Sequence, residues 1–332
     1  MTPRVLFIGG TGIISSACSP LAIQQGMPLF LLNRGKSLRQ TPSQATLIVG
    51  DINADPSSLV EIVEQHQIDV VVNWVAYDPD QVQRDIDLLE GRVGQYVFIS
   101  SASAYQKPVP SLPITEETPL NNPFWEYSRN KKACEELLLA AHAKSGFPAT
   151  IVRPSHTYDK TLIPMHGGWT LVERMLQGKP VVIHGDGTSL WVLTHHADFA
   201  RGFVPLLGNP KAIGEIFHIT SDELLPWNRI FELVAKAAGA ELKAVHVTSE
   251  VIAQYDDDWG ASILGDKSHS VIFDNSKIKA LVPDFSADIP FEQGAQEIVD
   301  WYLGNPSART IDPEFVALQD RIIADQQRSR SN

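Results

Sequence analysis

The chain is poor in cysteine, has no long apolar run and carries no excess of positive charge. Among its 332 residues are two cysteines, Cys18 and Cys134, both in helix-patterned segments. Two such residues offer neither a disulfide framework nor metal-ligand spacing, so both are expected as buried small hydrophobes. No apolar segment approaches the roughly 20 residues that cross a bilayer. The apolar run after Met1 breaks at Gly9 without a cleavage-site pattern, so no membrane partner and a cytoplasmic location are expected. A formal net charge of −12 argues against attraction to nucleic acid and for a small-molecule partner. There is no internal repeat and no low-complexity tract. The length suits one large α/β unit or two closely joined domains.

What is present begins with Gly9-Gly10-Thr11-Gly12-Ile13-Ile14-Ser15, a glycine turn between the apolar run Val5 to Ile8 and a helix-patterned segment running to Gln25. Gly9 allows a sharp turn, and Gly12 leaves room for an anion at a helix N-terminus, where free N–H groups favour phosphate. Gly9, Thr11, Gly12 and Ile13 are therefore candidate pyrophosphate binders, while Ser15 occupies the third position, where the usual fingerprint has glycine. A second strand, Leu29 to Leu32, ends at Asn33-Arg34-Gly35. An acid at this place reads the ribose of NAD, whereas a guanidinium can hold a 2′-phosphate, so Asn33 and Arg34 favour NADP, with NAD as the alternative. The competing reading of Arg34 is a solvated loop charge.

A third strand, Thr46 to Val49, delivers Asp51 and Ile52, and a fourth, Val70 to Asn73, delivers Ala76. In an open parallel sheet these ends lie at the ligand-binding edge, making Asp51 a candidate acceptor for an adenine amino group and Ala76 a close-packing neighbour of the cofactor. Pro56 to Gln67 reads as a helix between them. Near-continuous Val/Ile/Leu strands alternating with helices predict a doubly wound parallel α/β sheet of Rossmann type, covered on both faces.

The fifth strand, Tyr96 to Ile99, runs into Ser100-Ser101-Ala102-Ser103-Ala104-Tyr105; after a proline-rich loop, Tyr127 and Lys131 open a helix that extends to about Ser145. Four residues apart, the two share a helix face. An ammonium so placed is expected to lower the tyrosine pKa, letting Tyr127 exchange a proton with a substrate oxygen that a strand-end serine holds. Singly, each has a bland reading: a half-buried aromatic, a solvated lysine and a turn serine. Their order along the chain is what argues for chemistry.

Residues 1–160 are expected to form the dinucleotide-binding domain, with segments near 190–222 returning to it, and 161–332 mainly a smaller substrate lobe. A sixth strand, Ala149 to Val152, leads to Arg153-Pro154-Ser155-His156. His195-His196-Ala197-Asp198 starts a helix; adjacent histidines point to different sides, so capping by Thr194 or His195 is expected and no metal. Residues 255–270 read as a polar, acidic loop over the active site, the acidic run either solvated or cation-binding. Helices are expected over Trp169 to Gln177, Pro226 to Ala238, Phe291 to Leu303 and Pro313 to about Arg328.

With Gly9-Gly10-Thr11-Gly12-Ile13-Ile14, Gly50-Asp51-Ile52, the Ser100 to Tyr105 run, Tyr127-Ser128-Arg129-Asn130-Lys131, Arg153-Pro154 and Gly185-Asp186-Gly187, the chain resembles the extended short-chain dehydrogenase/reductase superfamily, in its NAD-dependent epimerase/dehydratase branch. The resemblance implies a catalytic Ser101, Tyr127 and Lys131, with Lys131 also holding the cofactor ribose. It also implies that the Pro154 to His156 segment passes the nicotinamide, where His156 either touches cofactor or substrate or is structural. Hydride transfer at a carbinol or carbonyl carbon follows: epimerisation if the cofactor is retained through two transfers, simple reduction if it exchanges.

Departures from the pattern concern substrate. Where dehydratases of the family carry Asp-Glu after the catalytic residue, Ala102-Ser103 stands, and Trp191 replaces an arginine that grips a nucleotide diphosphate. A neutral indole cannot do that. The chain looks most similar to atypical members grouped with chloroplast stem-loop-binding and isoflavone-reductase-like proteins. From these comes the rival expectation, a cofactor-binding regulatory or RNA-associated protein. A homodimer is left open.

Overall fold

A computed structural model describes residues 2–37 and 39–331. The first half alternates strand and helix: β1 (Val5–Ile8), α1 (Ser15–Gln24), β2 (Leu29–Asn33), β3 (Thr46–Val49), α2 (Ser58–His66), β4 (Val70–Asn73), α3 (Pro79–Leu89), β5 (Gln95–Ile99), α4 (Glu126–Ser145) and β6 (Ala149–Pro154). Short pieces follow: β7 (His156–Tyr158), α5 (Trp169–Leu176), β8 (Val181–His184), β9 (Leu190–Trp191), β10 (Leu193–His195) and α6 (His196–Phe203). The chain then makes β11 (Ile216–Ile219), β12 (Leu225–Pro226), α7 (Trp227–Ala237), β13 (Ala244–Val247), α8 (Ser249–Ala253), α9 (Asp257–Ser262), α10 (Ser276–Leu281), α11 (Phe291–Gly304) and α12 (Pro313–Ser331).

Seven parallel strands form the central sheet in the order β3-β2-β1-β4-β5-β6-β11. Strand order reverses between β1 and β4, which opens a crevice at their carboxyl ends. The period of two along β1 sends alternate side chains to opposite faces. Val5 and Phe7 pack with Cys18 and Ala22 of α1 and with Phe199 and Phe203 of α6. Leu6 and Ile8 pack with Leu59 and Val63 of α2, Val82 and Ile86 of α3, and Cys134 and Leu138 of α4. Both cysteines are thus fully buried and unbridged, as their helical setting implies. A third apolar cluster, built from α5, α7, α11 and the strands β8 and β13, holds the second half together.

Two polar clusters are buried among these layers. Arg153 forks onto Glu135 (Nη2 to Oε2, 2.6 Å), and Glu135 also accepts from the Ser100 hydroxyl. Asp85 accepts from Tyr96 (2.8 Å), Asn73 (2.6 Å) and Arg84 (2.8 Å).

The segment read from the sequence as a polar loop over 255–270 is instead helical: α9 runs into a π-turn, Ile263–Lys267. Asp256 caps α9 by accepting from the Trp259 amide (2.8 Å), while Asp257 and Asp258 sit in the first turn, where the helix dipole favours acids. The acidic run therefore has a structural account. At α6, His195 is the cap, its Nδ1 accepting from the Ala197 amide (3.3 Å). The adjacent histidines serve different partners, His195 reaching Glu297 and His196 the Ile13 carbonyl. No described helix is long and apolar enough to cross a membrane.

Candidate active site

The turn after β1 is shaped by its own chain before any ligand is considered. Gly9 has φ +86°, and a Cβ there would fall 2.4 Å from Val75 Cγ1 beyond β4. At Gly12 an added Cβ would meet only the Ser15 hydroxyl, at 3.4 Å, so the protein itself leaves that side open. Ser15 is buried and ties the turn together, accepting from the Gly12 amide (2.8 Å) and donating to the Gly9 carbonyl (3.2 Å). A serine at the third position of the fingerprint thus serves as an internal brace.

A cavity of about 810 Å³ lies over this turn and the ends of β1, β2 and β3. Gly9, Thr11, Gly12, Asn33, Arg34, Asp51 and Ile52 line it, as the sequence suggests for a dinucleotide. Ile13 and Ala76 do not. The Ile13 carbonyl accepts from Ser16 (2.8 Å) and His196 (3.0 Å), and Val75 and Tyr77 stand in the wall on either side of buried Ala76. Asn33 is buried, and its amide nitrogen has no hydrogen-bond partner among the described residues. An unsatisfied amide on a residue of the cavity wall, together with the open side of Gly12, fits a polar cofactor there.

The wall near Asn33 is cationic, with Arg34 and Lys36 exposed and forming no ion pair among the described residues. Arg39, unremarked in the sequence, is otherwise engaged. Its guanidinium pairs with Asp159 and Thr161, just after β7, and burial of Asp159 only partly offsets the contacts that lower its pKa.

A second cavity, of about 280 Å³, is lined by Ser101, Tyr127, Pro154 and His156. Lys131 lines neither cavity, but its ammonium sits behind Tyr77 of the first wall and Tyr127 of the second. Its ammonium donates to the carbonyls of Ala76 (2.7 Å) and Ile99 (2.8 Å) and lies 4.8 Å from the centre of the Tyr77 ring and 5.7 Å from that of Tyr127. Burial pulls its pKa down to about 8. Tyr127 behaves contrary to the sequence expectation. Its pKa is pushed up to about 12 by burial, which the neighbouring Ser101 hydroxyl only partly offsets, and the lysine charge, committed to two carbonyls, does not bring it down. In this state the phenol is a protonated donor throughout the physiological range.

Ser101, at the end of β5, also accepts from the Ser103 amide (3.2 Å), and its hydroxyl lies 2.9 Å from that of Ser103. His156 is neutral: burial drives its pKa down to about 3, with Lys267 adding to the effect, and its Nδ1 accepts from the Trp191 indole (3.2 Å). Trp191, flagged in the sequence as an arginine replacement, is buried in the cavity wall. Sequence reading missed Asp266 and Lys267 as individual side chains, although they fall in the segment expected over the site and they do line this cavity. Their signal was hidden because a π-turn has no simple periodicity.

A model of the NAD dependent epimerase/dehydratase family matches residues 5–220. Over 86% of its length the chain is 28% identical to 2'-dehydrokanamycin reductase of Streptomyces kanamyceticus, covering 80% of that protein. Over 73% of its length it is 27% identical to the chloroplast stem-loop binding protein of 41 kDa b of Arabidopsis thaliana, covering 65% of that one. Its fold is similar to that of dTDP-glucose 4,6-dehydratase from Bacillus anthracis in complex with NAD, with TM-score 0.72, 22% identity, and coverage of 92% of this chain and 98% of the other. UDP-glucuronic acid 4-epimerase from Bacillus cereus, in complex with UDP-glucuronic acid and NAD, is alike to the same degree, with TM-score 0.72, 21% identity, and coverage of 91% and 99%.

Proposed function

The chain belongs to the NAD dependent epimerase/dehydratase family, and from that premise we propose that it is an NAD(P)-dependent oxidoreductase acting at a carbinol or carbonyl carbon of a small polar substrate. The observation that carries this reading is that Ser101 and Tyr127 share the wall of a 280 Å³ cavity, with the Lys131 ammonium 5.7 Å from the centre of the Tyr127 ring and 4.8 Å from that of Tyr77 in the wall of the cofactor cavity. Tyr127 would give its proton to a carbonyl oxygen during reduction and take it back during oxidation, with Ser101 orienting that oxygen. Lys131, held by Ala76 and Ile99, would fix the ribose end of the cofactor. Gly9, Thr11 and Gly12 would seat the pyrophosphate, and Asp51 and Ile52 the adenine. When bound, the nicotinamide supplies or accepts the hydride.

Within this reading NADP is the favoured cofactor, because Asn33 stands where an acid would bind the ribose diol and two uncommitted cations, Arg34 and Lys36, line the same wall. Net reduction or oxidation is favoured over epimerisation. Returning hydride to the opposite face requires the intermediate to turn over about a fixed anchor, and Trp191 offers no grip for a diphosphate anchor.

The test is turnover of Tyr127→Phe beside wild type on any accepted carbonyl substrate. A loss of at least about a hundredfold in kcat is expected, and equal rates would remove Tyr127 from the mechanism. For the cofactor, titration with NADPH and NADH should show Arg34→Ala losing most of the NADPH preference. An unchanged preference refutes the phosphate reading.

A further inference from the structure

The smaller cavity has an unbalanced charge. Its wall contains one carboxylate, Asp266, and one ammonium, Lys267. Asp266 is already matched, since Lys107 Nζ lies 3.2 Å from its Oδ1. Lys107 is itself buried and has no hydrogen-bond partner, so this ion pair is its one source of compensation among the described residues. His156 and Tyr127, the other titratable groups of the wall, are neutral. One positive charge is left over, and it is that of Lys267.

The Lys267 ammonium is thinly supported. It reaches the Ser262 carbonyl at 3.4 Å and sits 5.6 Å from the centre of the Trp125 ring. Burial lowers its pKa, Asp266 opposes the shift and Lys107 adds to it. A partly desolvated charge without a counter-charge is costly, and an anion beside it would offset that cost.

Its backbone, by contrast, is heavily fixed. The Lys267 carbonyl accepts from His184 (3.2 Å), Ser189 (2.9 Å) and the Trp227 indole (3.2 Å). Two residues earlier the Gly265 carbonyl accepts from Asn122 (2.6 Å), whose amide also donates to the Ser103 carbonyl (2.8 Å) beside Ser101. The root of this lysine is thus held at a set position relative to the Ser101 and Tyr127 hydroxyls, by a π-turn of the kind that often occurs at functional sites.

Resting on the function proposed above, we infer that the substrate is a small hydroxy or carbonyl compound bearing one carboxylate, of sugar-acid type and without a nucleotide, and that Lys267 receives the carboxylate. Size and charge agree. A cavity of about 280 Å³, on the order of nine waters' volume, has room for one monosaccharide. Among the described residues Lys267 is the one cation in its wall, and none of them offers a guanidinium fork for a diphosphate there. A phosphate monoester brings more negative charge than the single excess cation matches, and an amino sugar would meet that cation unfavourably. Trp125, Trp191 and Phe273 supply aromatic lining against which the C–H side of a sugar ring can pack.

The test titrates wild type, Lys267→Met and Lys267→Arg with D-glucuronate, D-galacturonate, glucose, glucosamine, a hexose phosphate and UDP-glucose. Each is added in the presence of oxidised cofactor, with quenching of tryptophan fluorescence and cofactor reduction both followed. Cofactor binding by each variant serves as the control for folding. A uronate should be the preferred ligand of wild type. Lys267→Met should weaken its binding and raise its KM about 10- to 100-fold, as loss of a charge-assisted hydrogen bond does. The values for glucose should stay within about twofold, and Lys267→Arg should recover part of the loss. Preference for the phosphate, the amino sugar or UDP-glucose, equal effects of Lys267→Met on acid and neutral sugar, or no uronate binding at all would each overturn the assignment. Uronate quenching on Tyr127→Phe separates the two readings. Binding that persists while turnover proves independent of Tyr127 sinks the mechanism and spares the anion site, whereas a Tyr127-dependent reaction on an uncharged substrate does the reverse.

Discussion

Lys131→Met tests whether the lysine beneath the two cavities is as desolvated as its surroundings imply. The side chain is 2% exposed, and its pKa falls from 10.5 to about 8 because burial penalises the charged form. Such a displacement corresponds to about 3 kcal/mol. At neutral pH the lysine is charged in both folded and unfolded chains, so removing it relieves that cost. The same substitution leaves the Ala76 and Ile99 carbonyls without their donor, at about 1–3 kcal/mol each, so the two effects nearly cancel. The informative quantity is therefore the pH dependence. Because the folded value lies below the unfolded one, the unfolded chain holds a proton between about 8 and 10.5 that the folded chain lacks, and stability rises with pH across that window. It is fully present above 10.5 and lost as pH falls through about 8. Urea unfolding followed by tryptophan fluorescence, at neutral pH and again above pH ~10, should show wild type gaining about 3 kcal/mol relative to Lys131→Met. Subtracting the variant cancels groups common to both chains. A difference that stays flat over the window would show that Lys131 titrates as an ordinary surface lysine, and the proposed role of a buried charge between cofactor and substrate would go with it.

Two further outcomes follow from buried polar contacts. Arg153→Leu should destabilise the fold by roughly 3–5 kcal/mol in thermal or urea unfolding, because it leaves Glu135 buried at 1% exposure with only the Ser100 hydroxyl; joint replacement with Glu135→Met should recover much of the loss. Ser15→Ala should weaken cofactor binding severalfold by calorimetry and lower stability by about 1 kcal/mol, since the Gly12 amide and Gly9 carbonyl lose their brace; unchanged cofactor affinity would show that the turn holds its shape without the hydroxyl.

The strands of the sheet were legible because each is a short apolar run closed by a turn signal, the pattern that burial on both faces demands of every strand but β3, an edge strand that is largely exposed. Within the segments near 190–222, Ile216–Ile219 joins the sheet as its seventh strand. The placement of candidate residues at sheet edges was legible too: Gly9, Asn33, Asp51 and Ser101 all fall at or just past carboxyl ends of strands and line one cavity or the other. The electrostatics were not. Spacing puts Tyr127 and Lys131 on one helix face, but whether the ammonium acts on the phenol depends on which oxygens claim it first, and two backbone carbonyls from distant strand ends do so.

The segment around Lys267 was opaque for a related reason. Its acids looked like a solvated run because a helix cap, a dipole contact and a matched ion pair are indistinguishable in sequence from free carboxylates. Only once Asp256 is spent on a cap and Asp266 on Lys107 does the local charge change sign, from an apparent acidic loop to a cavity wall with one cation in excess. A net charge of −12 for the whole chain is thus compatible with a substrate site that selects anions, because partnering within the fold, more than composition, sets the field a ligand meets.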